Sequence, residues 1–115
     1  MPSPIQTGSV VWWRNGRYLV ASVTDRSVAI CPIEGGPCPR HRADVALDWF
    51  EALSLQVDSA YVIRCVPFGV PVSSVVLAGG LAFGALMARV QVGISKEVQA
   101  RAFEMRHSQQ IQEIS

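Results

Sequence analysis

The sequence predicts a mainly β domain with one C-terminal α-helix, arranged as a small SH3-like barrel. Three observations lead there. Between residues 9 and 66, short β-branched and aromatic runs succeed one another at close spacing, separated by turn-forming residues. Asn15-Gly16 separates the first two runs, and such a pair is the strongest short-range hairpin signal. After Gly93 neither Gly nor Pro recurs, and Ser95 reads as a helix N-cap with Glu97 in the first turn, near the positive end of the helix dipole. At 115 residues the chain has the size of one domain, which buries roughly two-thirds of its unfolded surface. The expected division is a tail over residues 1–7, the barrel over 8–94 and the helix over 95–112.

The first strand is Ser9-Val10-Val11-Trp12-Trp13, and Arg14-Asn15-Gly16 turns the chain. Residues 17–24 form the second strand, with Tyr18, Val20, Ser22 and Thr24 on one face and Leu19, Ala21 and Val23 on the other. The alternation assigns the second set to the core. Asp25-Arg26 makes the next turn, and residues 27–33 complete a meander before the Gly/Pro-rich loop of residues 34–39. Residues 43–47 read as a short strand. In the ambiguous segment after it, Asp48 and Glu51 have capping-box spacing, so a helical turn with Asp48 as N-cap is one reading. Residues 59–66 make a buried strand in which Arg64 is the sole charge.

From Cys65 to Ala88 no charged residue occurs. One reading is two strands, 72–77 and 87–92, joined by residues 78–85; a helix over 75–90 competes with it. A membrane span is the third reading, but Pro67, Gly69, Pro71, Gly79, Gly80 and Gly84 interrupt the run too often for one. In the last helix Val98, Ala102 and Met105, flanked by Phe103, recur as a stripe that packs on the barrel. Glu97 and Arg101 form an i,i+4 ion pair on its wet face. Ile111 and Ile114 fray with the helix end or dock on a second subunit.

Half of the residues are hydrophobic and 17% are charged, which excludes a disordered chain. A net charge of +1 supplies no global field toward nucleic acid or an acidic membrane, so any such contact must be local. Nine of the ten basic residues are arginine, a bias that suits bidentate contacts to phosphate or carboxylate and that a GC-rich genome also produces. Cys31, Cys38 and Cys65 form neither an even set nor a zinc-type spacing, so no disulfide framework, metal site or cofactor is expected. The start Met1-Pro2-Ser3-Pro4 has no secretory pattern, and the expected location is the cytoplasm.

No nucleophile elbow, phosphate-binding loop or His-Glu-x-x-His motif is present. Three groups of polar residues remain. Arg14 and Arg17 flank the hairpin turn beside Trp12 and Trp13, where arginine can hold phosphate while rings stack on unpaired bases; ordinary hairpin arginines beside core tryptophans are the alternative. Arg40, His41 and Arg42 form the densest basic patch, in which a histidine can move protons while arginines stabilise charge on phosphorus; a solvated loop is the alternative. Glu34 stands at a strand end before two glycines, where a substrate can approach the backbone and where turn residues also gather.

The order of segments resembles the MazF/PemK group of toxins from bacterial toxin-antitoxin pairs. Gly8-Ser9-Val10-Val11-Trp12 is similar to the opening Gly-Asp-Ile-Val strand of that group, and Arg17-Tyr18-Leu19-Val20 to its Arg-Pro-Ala-Leu-Val strand. Cys31-Pro32-Ile33 resembles its Pro-Ile-Thr-Ser strand end, Leu55 to Ile63 its Gly-Leu-x-x-Asp-Ser-x-Val segment, and Gly93-Ile94-Ser95 the Gly-x-Leu-Ser that opens its last helix. The resemblance implies a homodimeric barrel, in many members a metal-independent endoribonuclease on single-stranded RNA, with an antitoxin lying over the active groove. It implies a catalytic role for Arg17. Glu34 falls where the group has threonine or serine, Tyr18 where it has proline, and Cys65-Val66-Pro67 where it has Gln-Ile-Arg. A carboxylate there repels phosphodiester unless it acts as a base.

Overall fold

The computed structural model describes residues 5–35, 41–57 and 61–114, with side chains described through Arg106. Val10 pairs with Leu19 and Trp13 with Gly16, so β1 (Ser9–Trp13) and β2 (Gly16–Val23) form the expected hairpin. Its two-residue loop is Arg14-Asn15, one position earlier than the Asn-Gly signal. Both loop residues have positive φ, 46° and 66°, the backbone a type I′ turn requires.

β3 (Ser27–Gly35) pairs antiparallel with β2 along its length, and its other edge is shared. β6 (Phe68–Pro71) takes the first half of that edge, β5 (Tyr61–Arg64) the second, and β4 (Asp44–Ala46) lies outside β5. β7 (Val76–Leu81) pairs with β1 on the far side. The sheet is antiparallel throughout and runs β4-β5-β3-β2-β1-β7, with β6 beside β3. The chain is therefore mainly β with a C-terminal helix. The sheet is barrel-like but not closed, because β4 and β7 end it unpaired with each other.

The β1–β3 strands carry apolar residues on both faces. Val10, Leu19, Cys31 and Ile33 pack in one cluster with Leu55, Ile63, Leu86 and Val90; Val11, Val20, Val28 and Ile30 pack in the other with Ile5, Val70 and Val75. This corrects the one-sided reading of β2, since Val20 is fully buried while Val23 is exposed. The register shift between Val20 and Ser22 marks a bulge at Ala21, which moves Val23 to the other face opposite Val28. Ile5 is buried as well, so the body begins inside the predicted tail.

α1 (Trp49–Ser54) is the helical turn that the capping box allowed. The Asp48 carboxylate accepts from the Glu51 amide at 2.7 Å, and the Glu51 carboxylate accepts from the Asp48 amide at 3.1 Å. The uncharged segment forms β6, a single 3-10 turn at Val72–Ser74 and β7. Among the described residues no helix is long and apolar enough to cross a membrane.

α2 spans Gly84–Ile114, so the helix starts eleven residues before the predicted N-cap and Ser95 lies exposed in its interior. The strand predicted at residues 87–92 is its first part. Two physical reasons account for the correction. Ala85, Leu86, Met87, Ala88 and Arg89 are strong helix formers. Gly93, which the reading sets just before the last helix, lies inside it as a close-approach residue, because a Cβ there would stand 2.8 Å from Cys65 Sγ. The facing also differs: Val98 and Met105 point outward, and Glu97 is buried where the wet face was expected.

Candidate functional site

The strand register decides which predicted residues can meet. Trp12 lies opposite Arg17, and Tyr18 lies opposite Pro32, which sets Arg17 on the same face as Ile33. Ile33 faces Ile63 and Gly35 faces Tyr61, so Trp12, Arg17, Ile33 and Tyr61 share one side of the sheet. Together with Asn15 they line an open cavity of about 300 Å³. The Arg17 guanidinium lies over the Trp12 ring, 4.9 Å from its centroid, and one Nη donates to the Gln56 carbonyl at 2.9 Å. The stack and the hydrogen bond hold the fork in place, and most of its N–H donors remain for a ligand.

Glu34 is one residue past Ile33 and paired with Val62, so it belongs to the opposite face from Arg17. Its neighbour there is Arg64, whose guanidinium pKa is held above its ordinary value, chiefly by hydrogen bonding to Asp44 and in smaller part by the charge of Glu34. Arg64 Nε lies 3.0 Å from Asp44 Oδ1, and the buried Asp44 carboxylate also accepts from the His41 amide at 3.0 Å. The His41 ring closes the same turn, its Nδ1 accepting from the Ala43 amide at 3.0 Å. His41 is thus built into a turn around Asp44.

Arg42 is engaged as an anchor for α2. Its Nε donates to Glu97 Oε2 at 2.8 Å, its Nη1 pairs with Glu104, and Arg101 Nε reaches Glu97 Oε1 at 2.7 Å. Hydrogen bonds from Arg42 and then Arg101 hold the Glu97 carboxyl at about 2, and Arg42 lowers Glu104 as well. Arg40 lies outside the described residues. Arg14 stacks over Trp13 at 4.6 Å, and Trp13 packs with Tyr18 and Phe68 in the second cluster, away from the Arg17 cavity. The structure therefore gathers Trp12 and Arg17 in one cavity and separates them from Glu34 and Arg14.

Two further cavities flank the molecule. One of about 430 Å³ between β4 and α2 is lined by Arg42, Val45, Arg89, Val92 and Lys96. Its two arginines are engaged: Arg89 pairs with Glu51 at 2.6 Å and donates to the Ala46 carbonyl at 2.6 Å. The other, also about 430 Å³, lies along β7 between Gln6, Ser54, Gln56, Leu77, Leu81 and Phe83. Cys31 and Cys65 are buried in the first cluster, and burial pushes their thiols up to about 12 and about 11, which leaves them inert at neutral pH. Among the described residues no group of three or more His, Cys, Asp or Glu side chains is arranged to hold a metal.

Sequence reasoning missed Tyr61 in the Arg17 cavity, because it reads as one more residue of a buried strand, and missed the Gln56 carbonyl that holds the Arg17 guanidinium. It also missed the outward set Trp49, Phe50, Leu53, Leu81 and Phe83, although i, i+1, i+4 spacing on a turn capped by Asp48 places the first three on one helix face. The fold and the cavity define a small, open antiparallel barrel with an arginine–aromatic pocket. Compared with known proteins, the chain matches no protein-family model, no curated protein and no solved structure.

Proposed function

We propose that this chain binds single-stranded RNA through the Arg17 cavity. The observation that carries the reading is the Arg17 guanidinium stacked on Trp12, with Tyr61 and Asn15 in the same open pocket. A planar cation with free N–H donors receives a phosphate bidentately, while exposed rings stack on an unpaired base. The site is local, which suits a chain of net charge +1. The segment-order resemblance to the MazF/PemK toxins points the same way. Glu34 faces away from Arg17, so the pair does not supply the acid–base partner that cleavage by this route needs, and binding without cleavage is the expected behaviour.

The test is fluorescence anisotropy with a labelled single-stranded RNA about ten nucleotides long, at low and moderate salt. Arg17→Ala and Trp12→Ala should each weaken binding by about 1–3 kcal/mol, the range for loss of one stacked base, and a duplex of the same sequence should bind less well. Absence of binding at tens of micromolar, or Arg17→Ala binding like the parent while its circular dichroism is unchanged, would remove the proposal. Cleavage of the same RNA that Arg17→Ala abolishes would extend it to the endoribonuclease that the resemblance implies.

A second reading, a non-catalytic protein-interaction module of the same fold, draws on a different observation, the outward apolar surface of α1 and the β7–α2 junction.

A further inference from the structure

We propose that the cavity between β4 and α2 binds a small aliphatic carboxylate, its head at Lys96 and its chain along Val45 and Val92. The site is separate from the Arg17 cavity, and nothing in it draws on the segment-order resemblance.

A close approach of two elements shapes the cavity. A Cβ at Gly93 would stand 2.8 Å from Cys65 Sγ and 3.6 Å from Val45 Cγ2, so α2 is drawn onto the sheet at that point. Ala88, Arg89, Val92 and Lys96 recur around Gly93 at helical spacing and form the helix wall. Ala43 and Val45 form the sheet wall, with Val45 packed against the first cluster. Val92 is 52% exposed, an open apolar side chain within the concavity. The volume of about 430 Å³ falls in the range of small-ligand sites, roughly 300–1,000 Å³.

Ion pairs fix both ends. Toward the distal half of α2, Arg42 Nε donates to Glu97 at 2.8 Å and its two Nη groups reach Glu104 and Glu97. Toward the start of α2, Arg89 Nη1 donates to Glu51 and Nη2 to the Ala46 carbonyl, both at 2.6 Å. The Asp44 carboxylate is held by Arg64 and by the His41 amide. These charges are matched before any ligand arrives. Lys96 differs. The positions three and four residues from it along α2 are Val92, Gly93, Gln99 and Ala100, so the helix offers it no carboxylate. Among the described residues Lys96 has neither a hydrogen bond nor an ion pair.

That imbalance selects the ligand. One unmatched ammonium attracts one negative charge. A phosphate monoester needs more free donors than the committed Arg42 fork leaves, and its second charge would meet the field of Glu51, Glu97 and Glu104. Apart from the charged residues the lining is alanine, valine and glycine, with no ring to stack on a base and no side-chain amide or hydroxyl to bond a sugar. The body of the ligand is therefore aliphatic. From Arg89 to Lys96 the helix rises about 10 Å, the span of an extended chain of about eight carbons.

The experiment is isothermal titration calorimetry of the full chain with sodium octanoate. Saturable binding with a dissociation constant below about 1 mM is expected. Acetate, which has the head alone, and 1-octanol, which has the chain without charge, should each bind about tenfold more weakly or worse. Octyl phosphate should bind no more tightly than octanoate. Lys96→Gln should weaken octanoate by about tenfold or more while leaving octanol unmoved, and Lys96→Arg should retain binding, each with the circular dichroism of the parent. Val92→Glu, at an exposed position, should abolish octanoate binding by setting a carboxylate beside the chain; the Lys96 pair decides if that variant misfolds. Trp49→Ser, on the separate apolar surface of α1, should bind like the parent. The proposal is overturned by absence of saturable binding at 1 mM octanoate, by Lys96→Gln binding octanoate as the parent does, or by a loss in Trp49→Ser instead. Acetate or octanol binding as tightly as octanoate, or octyl phosphate binding more tightly, overturns it as well. RNA binding is scored on the Arg17 variants and is decided by none of these results.

Discussion

The two halves of α2 are held to the barrel by different forces. In the first, Leu86 and Val90 are fully buried on the sheet and Gly93 brings the helix axis against Cys65. Further along the same face the residues are Glu97, Arg101 and Glu104, and contact is made by Arg42 gripping two carboxylates. Apolar packing responds weakly to salt and pH, whereas an arginine–carboxylate network whose arginines are half exposed around the buried Glu97 is partly screened by the first and titrated by the second. The helix thus has a proximal half fixed under all ordinary conditions and a distal half whose attachment depends on the medium. Val98 and Met105 of the distal half are mostly exposed and belong to neither core cluster.

The strongest way to break the comparison is Leu86→Ala. Leu86 is 1% exposed within the first cluster, and truncating a buried leucine costs about 2–5 kcal/mol through lost transfer energy and a residual cavity. Urea unfolding should show that loss with an unchanged slope. A loss under about 1 kcal/mol would mean that the proximal half is not seated as described.

Acid should separate the halves without any mutation. The Glu97 carboxyl is held at about 2, against an ordinary value of 4.5, chiefly by the Arg42 hydrogen bond. A carboxylate whose pKa is lowered on folding stabilises the folded form fully above its unfolded value, and that stabilisation drains away as pH falls through the folded value. The window is therefore from pH 4.5 down to about 2. Amide exchange, corrected for intrinsic rates, should rise over residues 97–106 within this window while residues 86–93 keep their protection. Arg42→Ala should reproduce the pattern at neutral pH. If both halves open together, the helix is one cooperative unit and the ionic clamp is incidental.

How much of this was legible in the sequence follows from how local each feature is. The hairpin, the meander and the Asp48–Glu51 box involve residues a few positions apart, and the sequence reading found them. The start of α2 was not legible, because residues 87–92 look like a strand until Cys65, just past the end of β5, requires a glycine on the helix at Gly93. The helix facing failed for the same reason. The Val98–Ala102–Met105 stripe is a fair local signal, but Glu97 has its partner 55 residues away at Arg42, and no local period reports that. Within the candidate site, Arg17 beside Trp12 was readable from one hairpin. That Glu34 turns away from them depends on strand parity across two ladders, where one residue changes the face.

The smallest expected effect tests the outward side of the distal half. Met105 is 65% exposed and belongs to neither core cluster. Surface replacements away from packing, caps and strain usually fall within about 0.5 kcal/mol of the parent. Met105→Gln, which keeps the helix propensity, should therefore leave the urea midpoint of the isolated chain nearly unmoved, in contrast to Leu86→Ala on the same helix. Its value lies in concentration. Should Met105→Gln lower stability at 100 μM but not at 1 μM, mass action through a second molecule would be the cause, and the outer face of α2 would be part of a contact between copies. An equal loss at both concentrations would place Met105 inside the fold and end the description of the distal half as held by charge alone.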